Sequence, residues 1–223
     1  MLLSDKSDLL LRKMVELIEL PDSAYEKAKD RYNDIGEWLG RDESLCKEND
    51  PHIYPQGSFR LGTAIRPLHE KEEYDLDLAC NLRKGLSKKT HSQKELKELV
   101  GNEIKTYRTA RRIETPPKEK HRCWRLEYQD SLSFHMDIVP CIPFDEFQQG
   151  ILLSEMLNKR EDQTIAKIAS RLAVSITDDR HEYFDSICDN WNISNPEGYA
   201  KWFEYRMKQN RQMIVEKAQV SDL

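Results

Sequence analysis

Apolar positions in the first fifty residues recur at three- and four-residue steps. Leu10, Met14, Leu17 and Ile18 form one series and Ala24, Ala28, Tyr32, Ile35 and Leu39 a second, with Pro21-Asp22-Ser23 between them as a break and a new start. Two helices are predicted, the charged residues between the apolar positions being their solvated faces. Glu48-Asn49-Asp50-Pro51 reads as a turn. His52-Ile53-Tyr54-Pro55-Gln56 reads as a short extended piece that ends at Gly57-Ser58, where a short helix is expected to begin.

Further along, alternation replaces the helical period. Tyr74 to Cys80 alternates in strand fashion, and Leu96, Leu99, Val100 and Ile104 mark a helix over 93–107. Cys123 to Tyr128 and Leu132 to Val139 read as two strands joined by a hairpin turn at Gln129-Asp130-Ser131. Pro140 and Pro143 are expected to end the second strand, because proline has no N–H to give a ladder. From Asp162 to Thr177 the pattern predicts a helix and then a short strand at Leu172 to Ile176. The last helix is signalled by Asn195 as cap, Pro196 in the first turn and Glu197 near the positive end of the dipole. It is expected to run to Lys217, with Tyr199, Trp202 and Phe203 as a buried stripe. The pattern thus runs from helices into a mixed stretch of strands and helices.

Composition narrows this picture. A chain of 223 residues can bury a full core as one large domain, or one and a half. Only 38% of residues are hydrophobic and 34% are charged, yet four Trp, nine Tyr and six Phe are too many for a disordered chain. No apolar run approaches the roughly 20 residues of a membrane span, and Met1-Leu2-Leu3 is followed at once by Ser4-Asp5-Lys6, so neither a span nor a signal peptide is expected. Cys46, Cys80, Cys123, Cys141 and Cys188 are odd in number and widely spaced, which fits a reduced, cytoplasmic protein with no disulfide frame or zinc knuckle. A net charge of −5 argues against a non-specific duplex binder and leaves open a small anionic ligand in a local basic pocket.

The strongest chemical signal is Glu73-Tyr74-Asp75-Leu76-Asp77-Leu78-Ala79. In a strand, Asp75 and Asp77 point one way and Tyr74, Leu76, Leu78 and Cys80 the other, into the core. With α carbons roughly 6–7 Å apart, the two carboxylates can converge on one divalent cation, which removes the repulsion that would otherwise protonate one of them. A lone pair of this kind is also what a solvent-facing edge strand carries. Phe134-His135-Met136-Asp137-Ile138-Val139 alternates in the same way, so Asp137 can stand on a neighbouring strand as a third carboxylate. Three carboxylates holding two cations suit in-line attack on phosphorus. Upstream, Gln56-Gly57-Ser58-Phe59-Arg60 offers a glycine that lets backbone approach a phosphate, with the Ser58 hydroxyl and exposed amides to bind it.

Gln56-Gly57-Ser58, Asp75-Leu76-Asp77 and Asp137 together resemble the signature of the DNA polymerase β-like nucleotidyltransferase superfamily. Pro55 to Thr63, Tyr74 to Leu78, His135 to Pro140 and Asn195 to Phe203 are similar, more specifically, to the bacterial cGAS/DncV-like nucleotidyltransferases (CD-NTases, SMODS domain). The likeness extends over most of the chain from about Ile53 onward. It implies the polymerase β-like fold, an α+β arrangement with a mixed or antiparallel central sheet flanked by helices and N-terminal helices packed on the catalytic lobe. It also implies synthesis of cyclic di- or oligonucleotide second messengers from NTPs, acting through a downstream effector in anti-phage signalling. It implies Asp75, Asp77 and Asp137 as ligands of two Mg2+ or Mn2+ ions, with Asp137 also orienting the attacking ribose hydroxyl. Gly57 and Ser58 would hold the donor triphosphate, with Gln56 nearby. The organisation expected is N-terminal helices over 1–50, a catalytic core over 51–195 and a long helix over 196–223. In the family that helix leads to a second, helical lobe, here expected to be missing or supplied in trans; an activator is a further expected partner.

Lys105, Arg108, Arg111, Arg112, Lys118, Lys120, Arg122 and Arg125 stand against only Glu114 and Glu119 in their stretch. Such a strip can hold a triphosphate or serve as a solvated helix end and hairpin, and alternation singles out none of its arginines. His135 shares the face of Asp137, where it can meet substrate or be a hydrogen-bonded structural residue. Two further functional classes remain: an inactive lobe used for binding or assembly, and a minimal nucleotidyltransferase that AMPylates a protein. A glycosyltransferase reading of the aspartate pair leaves Gly57, Ser58 and Asp137 unexplained.

Overall fold

A computed structural model of the chain describes residues 5–67, 69, 72–129 and 134–221. Two helices, α1 (Asp5–Ile18) and α2 (Asp22–Gly40), precede β1 (Pro51–Pro55), the short α3 (Gly57–Leu61) and β2 (Tyr74–Leu82). After them come α4 (Gln93–Ala110), β3 (Lys118–Glu119), β4 (Trp124–Tyr128) and β5 (Phe134–Pro143). The remaining elements are α5 (Glu146–Asn158), α6 (Gln163–Arg171), β6 (Val174–Ile176), β7 (Asn192–Ser194) and α7 (Pro196–Ser221).

Among the described residues the strands form one sheet in the order β1-β2-β5-β4-β3, with β6 paired to the far end of β5 and β7 to β6. β2 and β5 are parallel and every other pair is antiparallel, so the sheet is mixed, within the α+β class expected. One face of its centre is apolar: Leu76, Leu78, Cys80 and Leu82 of β2, Phe134, Met136 and Ile138 of β5, and Trp124 and Leu126 of β4. Against it lie Ala24, Ala28, Ile35 and Leu39 of α2 and Leu96, Val100, Ile104 and Tyr107 of α4, each set at helical spacing. Gly101 of α4 has no room for a side chain, since a β carbon there would stand 2.3 Å from the Trp124 ring. α4 starts on a capping box, with Ser92 Oγ accepting from Glu95 N and Glu95 Oε2 accepting from Ser92 N. Asn195 Oδ1 caps α7 by accepting from Gly198 N at 3.0 Å.

The structure corrects several expectations. β5 does not stop at Pro140 but runs to Pro143. On that edge β4 pairs only as far as Ile138 and β6 begins at Cys141, so Pro140 falls in the gap between two partners, and its carbonyl accepts from Thr177 N. The stripe on α7 is not core: Tyr199 is exposed, Trp202 and Phe203 are half-buried, and Ala200 is the residue pressed inward. Instead Tyr199 stacks on Trp202, whose Nε1 donates to Glu161. α1 is tied to the rest through Arg66, whose N donates to Ile18 O and whose Nε donates to Glu19 O, while Leu10, Met14 and Leu17 stay exposed. Among the described residues no element covers this stripe. α5 had no signature in the apolar pattern, and it buries none of its residues. Of the expected hairpin turn Gln129-Asp130-Ser131, the last two residues lie outside the described residues, as does Leu132.

Candidate active site

The site is built on the non-apolar face of the same central strands. The parallel register sets Asp75 opposite His135 and Asp77 opposite Asp137. Alternation that buries Leu76, Leu78, Met136 and Ile138 turns these four polar side chains to the other face. One carboxylate oxygen from each of Asp75, Asp77 and Asp137 comes within 4.8 Å of the other two.

β1 and α3 bring the glycine and serine to this cluster. Gln56 N donates to Asp77 O at 2.8 Å, prolonging the β1–β2 ladder by one bond, and Gln56 Nε2 reaches Leu78 O at 3.5 Å. The chain then turns at Gly57, whose φ is +61°, and a β carbon at this position would stand 2.7 Å from Asp77 Oδ2. Glycine is required twice over, by the left-handed backbone and by the carboxylate beside it. Gly57 and Ser58 are exposed. An open cleft of about 510 Å³ next to them is lined by Ser58, Thr63, Arg66, Glu73, Asp75 and His135, so Ser58 and Asp75 share one cavity. Arg60 Nη1 donates to Glu204 Oε1 at 2.8 Å, fastening α3 to α7.

Arg125 and His135 stand against this negative charge. β4 pairs antiparallel with β5 so that Arg125 faces Asp137, and its guanidinium grips the carboxylate as a fork, Nε to Oδ1 and Nη2 to Oδ2, both at 2.6 Å. His135 Nε2 lies 2.9 Å from Asp75 Oδ1 and Nδ1 lies 3.2 Å from Glu73 Oε2. The hydrogen bond from His135 holds the Asp75 carboxyl below its usual range, and the same bond raises the imidazole. Asp77 goes the other way, pushed up to about 6 by burial first and then by the charges of Asp75 and Asp137. Cys123, two residues before Arg125 on β4, has its thiol pushed up to about 12 by burial and by Asp137, which makes it an inert neighbour.

All six residues singled out in the sequence, Gln56, Gly57, Ser58, Asp75, Asp77 and Asp137, are thus gathered at one place. Arg125 and the Glu73–His135 pair complete the cluster. Half of the basic stretch is spent elsewhere: Arg108 donates to Glu114 O, Arg111 to Asp34, Lys118 to Glu127 and Arg122 to Asp178. The signal that would have separated Arg125 from the others is the pairing register of β4 on β5. Cys46, Cys80, Cys123 and Cys141 are buried free thiols and Cys188 is a half-buried one. Among the described residues no helix is long and apolar enough to cross a membrane.

Three carboxylates on adjacent strands, beside a Gly-Ser turn and on a mixed sheet backed by helices, define the nucleotidyltransferase fold of the polymerase β class. Residues 51–141 match the family described as cyclic GMP-AMP synthase DncV-like, nucleotidyltransferase domain. A c-di-GMP synthase of Roseivirga ehrenbergii is 30% identical over 193 residues, which cover 86% of this chain and 42% of the relative. The structure resembles that of Bradyrhizobium diazoefficiens CdnG, solved in complex with GTP, with a TM-score of 0.61 and 19% identity over 89% of this chain and 47% of the other. It also resembles Vibrio cholerae DncV, a cyclic AMP-GMP synthase solved with a linear pppApG intermediate, with a TM-score of 0.51 and 15% identity over 86% and 59% of the two chains. Segment 51–141 thus matches the DncV-like nucleotidyltransferase domain of the bacterial CD-NTases, and the chain spans less than half the length of the curated relatives it matches.

Proposed function

We propose that this chain is the catalytic lobe of a metal-dependent nucleotidyltransferase that joins NTPs into a cyclic di- or oligonucleotide, a messenger read by a downstream effector in anti-phage defence. The observation that carries the reading is the meeting of Asp75, Asp77 and Asp137 within 4.8 Å, directly against Gly57 and beside Ser58. The donor set fits hard divalent cations: it is all carboxylate oxygen, and without a cation the Asp77 carboxyl is pushed up to about 6 by burial and by its two acidic neighbours. Asp75, Asp77 and Asp137 would hold two Mg2+ or Mn2+ ions, which when bound neutralise the triphosphate and acidify the attacking hydroxyl.

The protein's own groups do the rest. Ser58 and the backbone amides at the Gly57 turn hold the donor phosphates, and the missing β carbon of Gly57 lets them come close to Asp77. Gln56 braces the turn against β2. Asp137 orients the acceptor ribose hydroxyl for attack on the α-phosphate, from which pyrophosphate leaves. A second lobe, in the same polypeptide or in trans, would close over the triad and exclude water.

The test is incubation with labelled NTPs and Mg2+ or Mn2+, followed by phosphatase. A resistant cyclic product is expected, lost about 10³-fold in Asp75→Asn or Asp77→Asn. No turnover by the folded protein, with activator present, would refute the reading. Label carried onto a co-encoded protein would replace it with protein AMPylation.

A further inference from the structure

Arg125 covers both oxygens of Asp137 with a two-pronged ion pair, so a side chain of β4 already occupies a carboxylate that the proposed reaction needs for cations. The strand order β1-β2-β5-β4 puts the triad between Gly57-Ser58 on one side and Arg125 on the other. The Arg125 side chain is 26% exposed and that of Asp137 14% exposed, so the pair is partly open to solvent. A guanidinium fork fits a phosphate as well as a carboxylate. A divalent cation on Asp137 would also repel a guanidinium fixed on the same oxygens.

We propose, building on the nucleotidyltransferase reading, that Arg125 is an exchangeable counter-ion. It holds Asp137 while the site is empty and transfers its fork to a phosphate of the arriving nucleotide, freeing the carboxylate for metal. Metal and nucleotide then load together: metal alone has to compete with Arg125, and metal with nucleotide does not. A fixed structural brace makes the opposite prediction, because removing it would loosen Asp137 and weaken metal binding.

The experiment titrates the full chain with Mn2+, followed by electron paramagnetic resonance, without nucleotide. It then measures retention of labelled ATP and GTP by equilibrium dialysis at saturating Mn2+. In Arg125→Gln, Mn2+ affinity without nucleotide is expected to rise about threefold, while nucleotide retention falls about tenfold, or about 1.4 kcal/mol. Arg125→Lys, which keeps the charge and loses the fork, should recover part of the nucleotide binding and serves if the first variant folds poorly. Weaker or unchanged Mn2+ binding in a folded Arg125→Gln, or unchanged nucleotide retention, would overturn the exchange and leave the nucleotidyltransferase reading standing. A wild-type protein that retains no Mn2+ even with nucleotide present would remove that reading, and this one with it.

Discussion

Leu76 and Leu78 of β2 are fully buried, whereas Leu10 and Leu17 of α1 are 60% and 74% exposed. Both elements are amphipathic, and what separates them is the number of neighbours that their position in the fold provides. β2 has a strand on each side and α2 and α4 across its apolar face, so alternation is converted into burial on one side and a focused charge cluster on the other. α1 is held through its C-terminal end by Arg66, and among the described residues nothing covers its apolar stripe. An apolar period says that a face wants cover, and only the assembled sheet decides which face receives it.

The contrast can be broken at its strong end. Leu78→Ala should destabilise the protein by about 3 kcal/mol, through lost transfer energy and the cavity left behind, as read by urea unfolding. The polar face should show itself next, through pH. Asp77 is raised to about 6 in the folded chain, so folding favours its protonated form. Through Asp77 the metal-free protein should therefore lose on the order of 2 kcal/mol as pH climbs from about 4 to about 6, with a further loss above that as the raised His135 imidazole gives up its proton. Asp77→Asn should remove the lower part of that slope in thermal melts at matched pH, and Mn2+ should raise the melting temperature more at pH 7.5 than at pH 5. A lower part retained in Asp77→Asn would place its origin elsewhere.

A smaller effect is expected at the turn between the two halves of the site. Gly57→Ala puts a side chain into left-handed backbone and against Asp77 Oδ2, costing about 1 kcal/mol of stability, with a matching loss of Mn2+ affinity. At the weak end, Leu10→Ser and Leu17→Ser should each stay within about 0.5 kcal/mol of the parent. A larger loss in either would show that the stripe is covered in solution.

The residues of the site were legible because their chemistry is local. Asp75 and Asp77 share a face whatever their neighbours, and Gly57-Ser58 stands at a break in the chain visible as a change of period. The placement of Arg125 was not legible, since it depends on how β4 is set against β5. A turn at Gln129-Asp130-Ser131 would oppose Tyr128 to Leu132 and hence Arg125 to His135. The observed register opposes Tyr128 to Phe134 and Arg125 to Asp137, two residues further on. The passage of β5 through Pro140 was hidden for the same reason, because it rests on where two other strands end and begin. α5 escaped notice because a helix that buries nothing leaves no apolar period to read.

The parallel pairing of β2 with β5 joins segments some sixty residues apart, with α4 and the β3–β4 hairpin between them. A long chain segment must be closed before that pair gains a single ladder bond, whereas α4 with its capping box and the hairpin can organise early. The acidic cluster is therefore assembled late in folding, after enough apolar surface is committed to bear three converging carboxylates. A ribosome-bound fragment ending before Asp137 would expose the unsatisfied edge of β2, and the closing of that edge and the completion of the site are one kinetic event.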